Sequence, residues 1–480
     1  MAWFELNSDD GLSASHAMLV AAGRIPYRDF FSAEPPLTPL LYGLLIHLAG
    51  PSYTAFRALT AVGLLVATGA LFAIGRRLLP APWAAGAAAV WGVNVAYELG
   101  HSPYHIWGVA FALVALLLLL RGWYPGAGLA AALAALSEQS MAAAAVAVVL
   151  GAAVLGGRRA ALAVAGAGGV VALLNLLGLA LLGALGQFLE QDVFYVLGTF
   201  AHTANRPVPW APWDLVGTIW QAGAGQIWAL LFTWPLAIAA PVLIALWSVL
   251  ATFTAGWDRR LLVVALASDG LFASALALYH ETEFFWFSAP LAVLLTGVAI
   301  RRYSGPARGW RALAVAPVGV IAVLGLIPVL TGLQLDCRVG VGRHLAEVAV
   351  GGSSVCTRPD QQADFATVGA LAAGHDGQPQ AFFPTLADFY LLTGRTPPVS
   401  YQFIQPGNVT DAQLNQVEDE LMRRHVTWVV YQRYDWTLLA SSFPDNAALR
   451  AGHWSFDDYL QRHYQVVAGD DRFVLYELAG

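Results

Sequence analysis

Two adjacent carboxylates, Asp9 and Asp10, stand near the start of the chain, and one polar stretch after them brings Arg24, Arg28, Asp29 and Glu34, then Pro35-Pro36. A carboxylate at a membrane surface can take the proton of an acceptor hydroxyl. Two adjacent ones can split roles or share a divalent cation, so Asp9 and Asp10 are the metal ligands if a metal takes part. Guanidinium groups bind phosphate oxygens in pairs, which suits Arg24 and Arg28 to a phosphate leaving group. Each residue also has a plainer reading. Ser8-Asp9-Asp10-Gly11 precedes a helical run over 12–23, where acids complement the N-terminal dipole. Arg24 and Arg28 can equally pair with Asp29, with Glu34 or with lipid headgroups. An acidic pair, two arginines and a rigid Pro-Pro at a membrane boundary point to lipid-dependent group transfer.

Other polar positions fall on the same side of the apolar runs. Glu98, His101 and His105 form one group, and Glu138-Gln139 and His280, Glu281 and Glu283 mark two turns. Metal ligation needs a convergent third ligand and supporting hydrogen bonds, so a solvated loop is the plainer reading of Glu98, His101 and His105. The loop 186–222 carries Glu190, Asp192, His202 and Arg206 among Trp210, Trp213 and Trp220. Such a loop can close over an amphiphilic substrate, although Trp also forms interfacial belts with no catalytic meaning. Asp269 interrupts an apolar run, and intramembrane acids are functional or paired. No phosphate-cradling Gly-rich loop, nucleophile elbow or zinc spacing is present.

The elements that position these groups are mostly membrane. Hydrophobic residues make up 58% of the chain, charged ones 12%, and the mean hydropathy is +0.59. A net charge of −6 excludes nucleic acid as a partner. Apolar runs recur at 53–75, 81–97, 105–120, 124–137, 141–157, 160–185, 224–252, 261–279, 284–300 and 312–333. With ~20 residues needed to cross a bilayer, they predict a polytopic α-helical membrane protein of about ten spans. Residues 1–52 are then an extracytoplasmic segment, with the apolar helix 37–50 too short to span and lying along the interface.

All 25 Lys/Arg positions are arginine. Arg76, Arg77, Arg121, Arg158, Arg159, Arg259, Arg260, Arg301, Arg302, Arg308 and Arg311 fall in alternate loops, which the positive-inside rule makes cytoplasmic. Splitting 124–157 into two short spans keeps every Arg cluster on one side. The transmembrane unit is 53–334. Residues 335–480 read as a small extracytoplasmic α/β domain, with strands at 428–431 and 472–476 and helices around 411–424 and 456–464. Cys337 and Cys356, the only two cysteines, lie in that outer segment and predict a disulfide.

The order of these motifs resembles the membrane-embedded GT-C glycosyltransferases, in particular the bacterial relatives of protein O-mannosyltransferases and lipid A aminoarabinose transferases. The residues are Asp9-Asp10, the stretch Gly23, Tyr27, Arg28, Asp29 and Phe30, then Pro35-Pro36-Leu37 and Leu136 to Gln139. Tyr390 to Arg395, Pro397-Pro398 and Phe473-x-Leu475-Tyr476 extend the likeness to the C-terminus. What the resemblance implies is inverting transfer of a sugar from a polyprenyl-phosphate donor to an acceptor protein, lipid or polysaccharide outside the cytoplasm of a cell membrane. Asp9 or Asp10 would be the base or hold a metal, and Arg28, Arg24 and Arg206 would stabilise the departing phosphate.

Three positions depart from that pattern. The family has a membrane helix ahead of its acidic pair, which implies either a start set too far downstream or an N-terminus translocated without a leader. Glu283-Phe284 replaces a His-Tyr, and Glu138 replaces a Lys. Rival functions are a lipid-carrier glycan ligase, a transporter or flippase, and an inactive scaffold. A transporter would bury paired charges at mid-membrane, where this chain offers only Asp269.

Overall fold

The computed structural model describes residues 3–4, 9–98, 102–196, 198, 258–278, 289–303, 346–351, 353–357, 359, 361–375, 377–406, 409–434, 436 and 452–480. A two-residue strand β1 (Trp3–Phe4) leads to helix α1 (Asp9–Ala21), which carries both acids in its first turn. A polar loop follows, and Pro36 caps α2 (Leu37–Ala49), where its missing N–H is not needed. Along α2, Leu40, Leu44 and Leu48 are exposed while Tyr42 and Ile46 are buried. That one-sided apolar stripe is the pattern of a helix bordering lipid.

The helical body comprises α3 (Tyr53–Gly75), α4 (Ala81–Glu98), α5 (Pro103–Leu120), α6 (Tyr124–Ser137) and α7 (Ala142–Leu181), with α8 (Leu185–Phe188), α9 (Arg259–Leu278) and α10 (Ala289–Tyr303). Ser52 starts α3 by accepting from Ala55 N–H at 3.2 Å. Among the described residues three helices are long and apolar enough to cross a membrane: Tyr53–Gly75, Pro103–Leu120 and Gln139–Leu181. The expected runs at 224–252 and 312–333 lie outside the described residues.

Helix α7 is two helices joined at Gly157, whose φ of 71° and ψ of −165° only glycine adopts freely. The break falls beside Arg158 and Arg159, where the sequence divides the spans. Gly156 packs on Tyr124, and Arg77 Nη1 donates to Leu120 O at 2.9 Å. The arginines at 77, 121, 158 and 159 therefore gather at one end of the bundle, and Ser102, His105 and Glu138 stand at the other.

Small residues let these helices touch backbone to backbone. A Cβ on Gly128 would overlap the carbonyl oxygen of Val164 and lie 2.9 Å from its carbonyl carbon. On Gly270 it would lie 2.6 Å from Ala147 Cβ.

The C-terminal part is α/β. Strands β2 (Ala346–Val350) and β3 (Ser353–Thr357) pair antiparallel, and β1 from the N-terminus adds to β3 in parallel, Trp3 opposite Cys356. Cys356 is disulfide-bonded; Cys337, the other cysteine of the chain, lies outside the described residues. A four-stranded sheet has the order β4 (Gln380–Phe383), β5 (Trp428–Gln432), β7 (Phe473–Leu478), β6 (Tyr464–Gly469). Helices α11 (Gln362–Ala372), α12 (Asp388–Thr393), α13 (Asp411–Arg423) and α14 (Ser455–His463) surround it. Thr410 and Gln413 form a capping box on α13.

One hydrophobic core runs from α1 through the helical body to Phe365, Phe389 and Tyr390 of this region, so the two parts share apolar packing. Gly128→Val should destabilise the α6–α7 contact by about 1–3 kcal/mol, the usual cost of overpacking. A lowered Tm in detergent would show it, and an unchanged Tm would mean that the helices are not packed this closely.

Candidate active site

The acidic end of the bundle holds the site. Asp10 is 1% exposed and forms an ion pair with Arg57, itself 7% exposed, on the second turn of α3. Consecutive residues on a helix point about 100° apart. With Asp10 fixed on α3, Asp9 turns toward the start of α5, and its Oδ2 accepts from Ser102 Oγ at 2.7 Å and from Tyr104 OH at 2.8 Å. Burial raises the Asp10 pKa to about 7, with Asp9 adding to the rise and Arg57 opposing it. Around the pair, Tyr42 OH and Thr60 Oγ1 share a hydrogen bond of 2.7 Å, and Trp107 Nε1 donates to Tyr42 OH at 3.3 Å.

The C-terminal region reaches the same place. Gly11 packs against Asp388 of α12 so closely that a Cβ there would lie 2.7 Å from the Asp388 backbone nitrogen. Asp388 is 1% exposed, and its charge reaches Tyr53 together with those of Asp10 and Arg57.

The loop between α1 and α2 is the second wall. Tyr27 takes a positive φ of 69° and is buried, its hydroxyl donating to Glu34 O at 2.7 Å. Burial drives the Tyr27 pKa well up, helped by the charges of Asp192 and Glu34. Glu34 is buried 3.8 Å from His16 Nδ1, and Glu138 Oε2 lies 2.9 Å from His105 Nδ1. Asp192 is also buried, and Glu190 is exposed beside it.

Arg28 makes a two-pronged contact with Asp29, Nε to Oδ1 at 2.8 Å and Nη2 to Oδ2 at 3.0 Å, and donates to Leu182 O at 3.2 Å. Its hydrogen bonds hold the Asp29 carboxyl below its usual range. Arg28 and Arg24 are exposed on the rim, so the structure does not bring them to the acidic pair. The pairing of Arg28 with Asp29 is the plainer of the two sequence readings.

Arg206, His101, His202, His280, Glu283 and Cys337 lie outside the described residues, and Glu98 ends α4 with its side chain outside them too. Sequence reasoning missed Arg57, Ser102, Tyr104 and Asp388. Arg57 carries a visible signal, a cation placed inside an apolar run.

Among the described residues no group of three His, Cys, Asp or Glu side chains is arranged to hold a metal ion. Asp10 is taken by Arg57 and Asp9 by two hydroxyls. These residues do not fit a resident divalent cation.

No protein-family model matches this chain, and no curated protein matches its sequence. Its fold does match solved structures. ArnT from Cupriavidus metallidurans in the apo state superposes with a TM-score of 0.54 at 15% identity, over 99% of this chain and 94% of that one. The same protein bound to undecaprenyl phosphate gives 0.53 at 15% identity over the same shares. The Archaeoglobus fulgidus oligosaccharyltransferase, tethered to an acceptor peptide containing an NVT sequon, gives 0.50 at 14% identity, over 99% of this chain and 70% of that one. The fold is thus shared with ArnT and with the oligosaccharyltransferase, as the order of the sequence motifs leads one to expect.

Arg57→Met removes the main charge that lowers the Asp10 pKa. The carboxyl should then titrate at least about one unit higher, equivalent to about 1.4 kcal/mol. Infrared titration of the protonated-carboxyl band, assigned with Asp10→Asn, reads this directly, and an unmoved midpoint would contradict the pairing.

Proposed function

We propose that this chain is an integral-membrane glycosyltransferase that moves a sugar from a polyprenyl-phosphate carrier to an extracytoplasmic acceptor, with inversion. The observation that carries the reading is Asp9, a half-buried carboxylate oriented by two hydroxyl donors beside a fully buried ion pair. The fold supports it, since one similar structure holds undecaprenyl phosphate and another an acceptor peptide.

In this mechanism Asp9 takes the proton of the acceptor hydroxyl. The acceptor oxygen forms its bond to the anomeric carbon on the face opposite the phosphate. The bond from that carbon to the phosphate oxygen breaks, and its electron pair leaves with polyprenyl phosphate. Asp10 is committed to its ion pair with Arg57, so its role is to hold α1 and thereby Asp9. Arg28 is held by Asp29, so of the arginines suited to the carrier phosphate Arg24 and Arg206 are the ones left to receive it.

The same reading puts about ten helices across the membrane. It sets 53–334 as the transmembrane unit, 335–480 as the outer domain, and the arginine-rich helix ends in the cytoplasm. The disulfide of Cys356 is then made to Cys337 in an oxidising compartment. The acceptor is a protein, lipid or polysaccharide.

Asp9→Asn should reduce turnover of radiolabelled polyprenyl-phosphate sugars about 10²–10⁴-fold, the usual contribution of a general base. Ser102→Ala and Tyr104→Phe should each cost less. Unchanged transfer by Asp9→Asn would remove Asp9 from the chemistry and the reading with it.

A further inference from the structure

Three segments far apart in sequence are laced together beside Asp9. Gln139 Nε2 donates to Ala33 O at 3.0 Å. Gln191 Nε2 donates to Tyr27 O at 3.0 Å, and its Oε1 accepts from Ser32 N–H at 3.0 Å. Each clasp has a carboxylate as its sequence neighbour: Glu34 follows Ala33, Glu138 precedes Gln139, and Asp192 follows Gln191. Their exposures are 6%, 2% and 5%.

Glu138 has partners in His105 and the Ser140 N–H. Among the described residues Glu34 has no donor within hydrogen-bond distance on either oxygen, His16 Nδ1 standing off at 3.8 Å, and Asp192 has none on Oδ1. The three carboxylates feel one another, and Asp9 also acts on Glu34, so burial and mutual repulsion push Glu34 up and Asp192 up to about 8.

A buried acceptor without a donor costs about 1–3 kcal/mol, more when charged. Such a cost persists where a ligand relieves it. An anion is excluded by like charge. A single divalent cation does not fit either, because no three of these groups are arranged to ligate one ion among the described residues. Carboxylates that act on one another without forming such a cluster suit a larger neutral ligand with several O–H donors. A protonated carboxyl can both donate to and accept from such hydroxyls, and burial favours that form at Glu34 and Asp192.

We propose that Glu34, Glu138 and Asp192 form the glycosyl subsite, gripping the hydroxyls of the donor sugar and presenting its anomeric carbon to Asp9. This rests on the glycosyltransferase reading above and adds to it which side chains select the sugar.

The test is carrier binding by full-length protein in nanodiscs, read by native mass spectrometry. The probes are undecaprenyl phosphate and a panel of undecaprenyl-phosphate-linked monosaccharides, against wild type, Glu34→Gln and Asp192→Asn. The variants should bind the best glycosylated carrier about tenfold more weakly, as expected for one lost charge-assisted hydrogen bond. The bare carrier should bind them as it binds wild type.

Stability separates this role from a structural one. The Asp192 carboxyl titrates above its unfolded value, so wild type loses stability as pH rises from about 4 to about 8. Asp192→Asn lacks that loss and should have the higher Tm at pH 8, whereas a structural carboxylate would leave its variant less stable. Equal weakening of both carriers, or no gain in affinity from any sugar, overturns the subsite while leaving carrier binding intact. Stabilisation of wild type by Mn²⁺ or Mg²⁺ that the variants lose would make this a cation site and overturn it too. Failure of wild type to bind either carrier overturns the glycosyltransferase reading, and the subsite falls with it.

Discussion

The buried ion pair between Asp10 and Arg57 is the contact on which the rest of the site depends. A paired charge in the interior holds its partners firmly because either one alone is left without solvent, at a cost of about 3–5 kcal/mol. Here the pair joins α1, which is outside the apolar spans, to the second turn of α3, which is long and apolar enough to cross a membrane. With that joint made, the helical twist aims Asp9 at Ser102 and Tyr104, and Gly11 presents a bare backbone edge to α12. Two neighbouring aspartates thus acquire opposite roles from environment alone: one is locked in place and the other is half-buried and oriented.

The two ends of the bundle differ in charge. Arginines 77, 121, 158 and 159 collect at one end of the helices, while Glu34, Glu138 and Asp192 lie buried at the other with little cationic compensation. The C-terminal region closes the acidic end twice, through β1 pairing with β3 and through Asp388 against Gly11. The segment that carries Asp9 is therefore held by the helical body and by the α/β region together.

Much of this was legible in the sequence because its physics is local. Trp428–Gln432 and Phe473–Leu478 are strands where short apolar runs between polar helical stretches place them, and 411–423 is a helix that begins at a Thr-x-x-Gln capping box. The break at Gly157 sits where two arginines divide an apolar run that is otherwise long enough for one helix. The adjacent acids were visible as chemistry but not their division of labour. That depends on Arg57, a cation inside an apolar run whose partner the sequence does not name, and on Ser102 and Tyr104, which look like a turn. Arg28 misleads for the opposite reason: phosphate chemistry fits its type, but Asp29 is its immediate neighbour and takes both prongs of the guanidinium. The glutamine clasps of Gln139 and Gln191 bind partners more than a hundred residues away, and no periodicity or motif encodes such a contact.

A double-mutant cycle on Asp10 and Arg57 tests the central contact most directly. Asp10→Asn, Arg57→Met and the double variant would be compared for thermal stability in the same nanodiscs. Asp10→Asn leaves the buried guanidinium uncompensated and Arg57→Met leaves the Asp10 carboxyl without its cation, so each should lower Tm, and the double variant should recover much of the loss. The coupling should be at least about 2 kcal/mol, within the range for residues in direct contact. Additive losses would mean that Asp10 and Arg57 do not depend on each other, and Asp9 would then have no fixed helix to orient it.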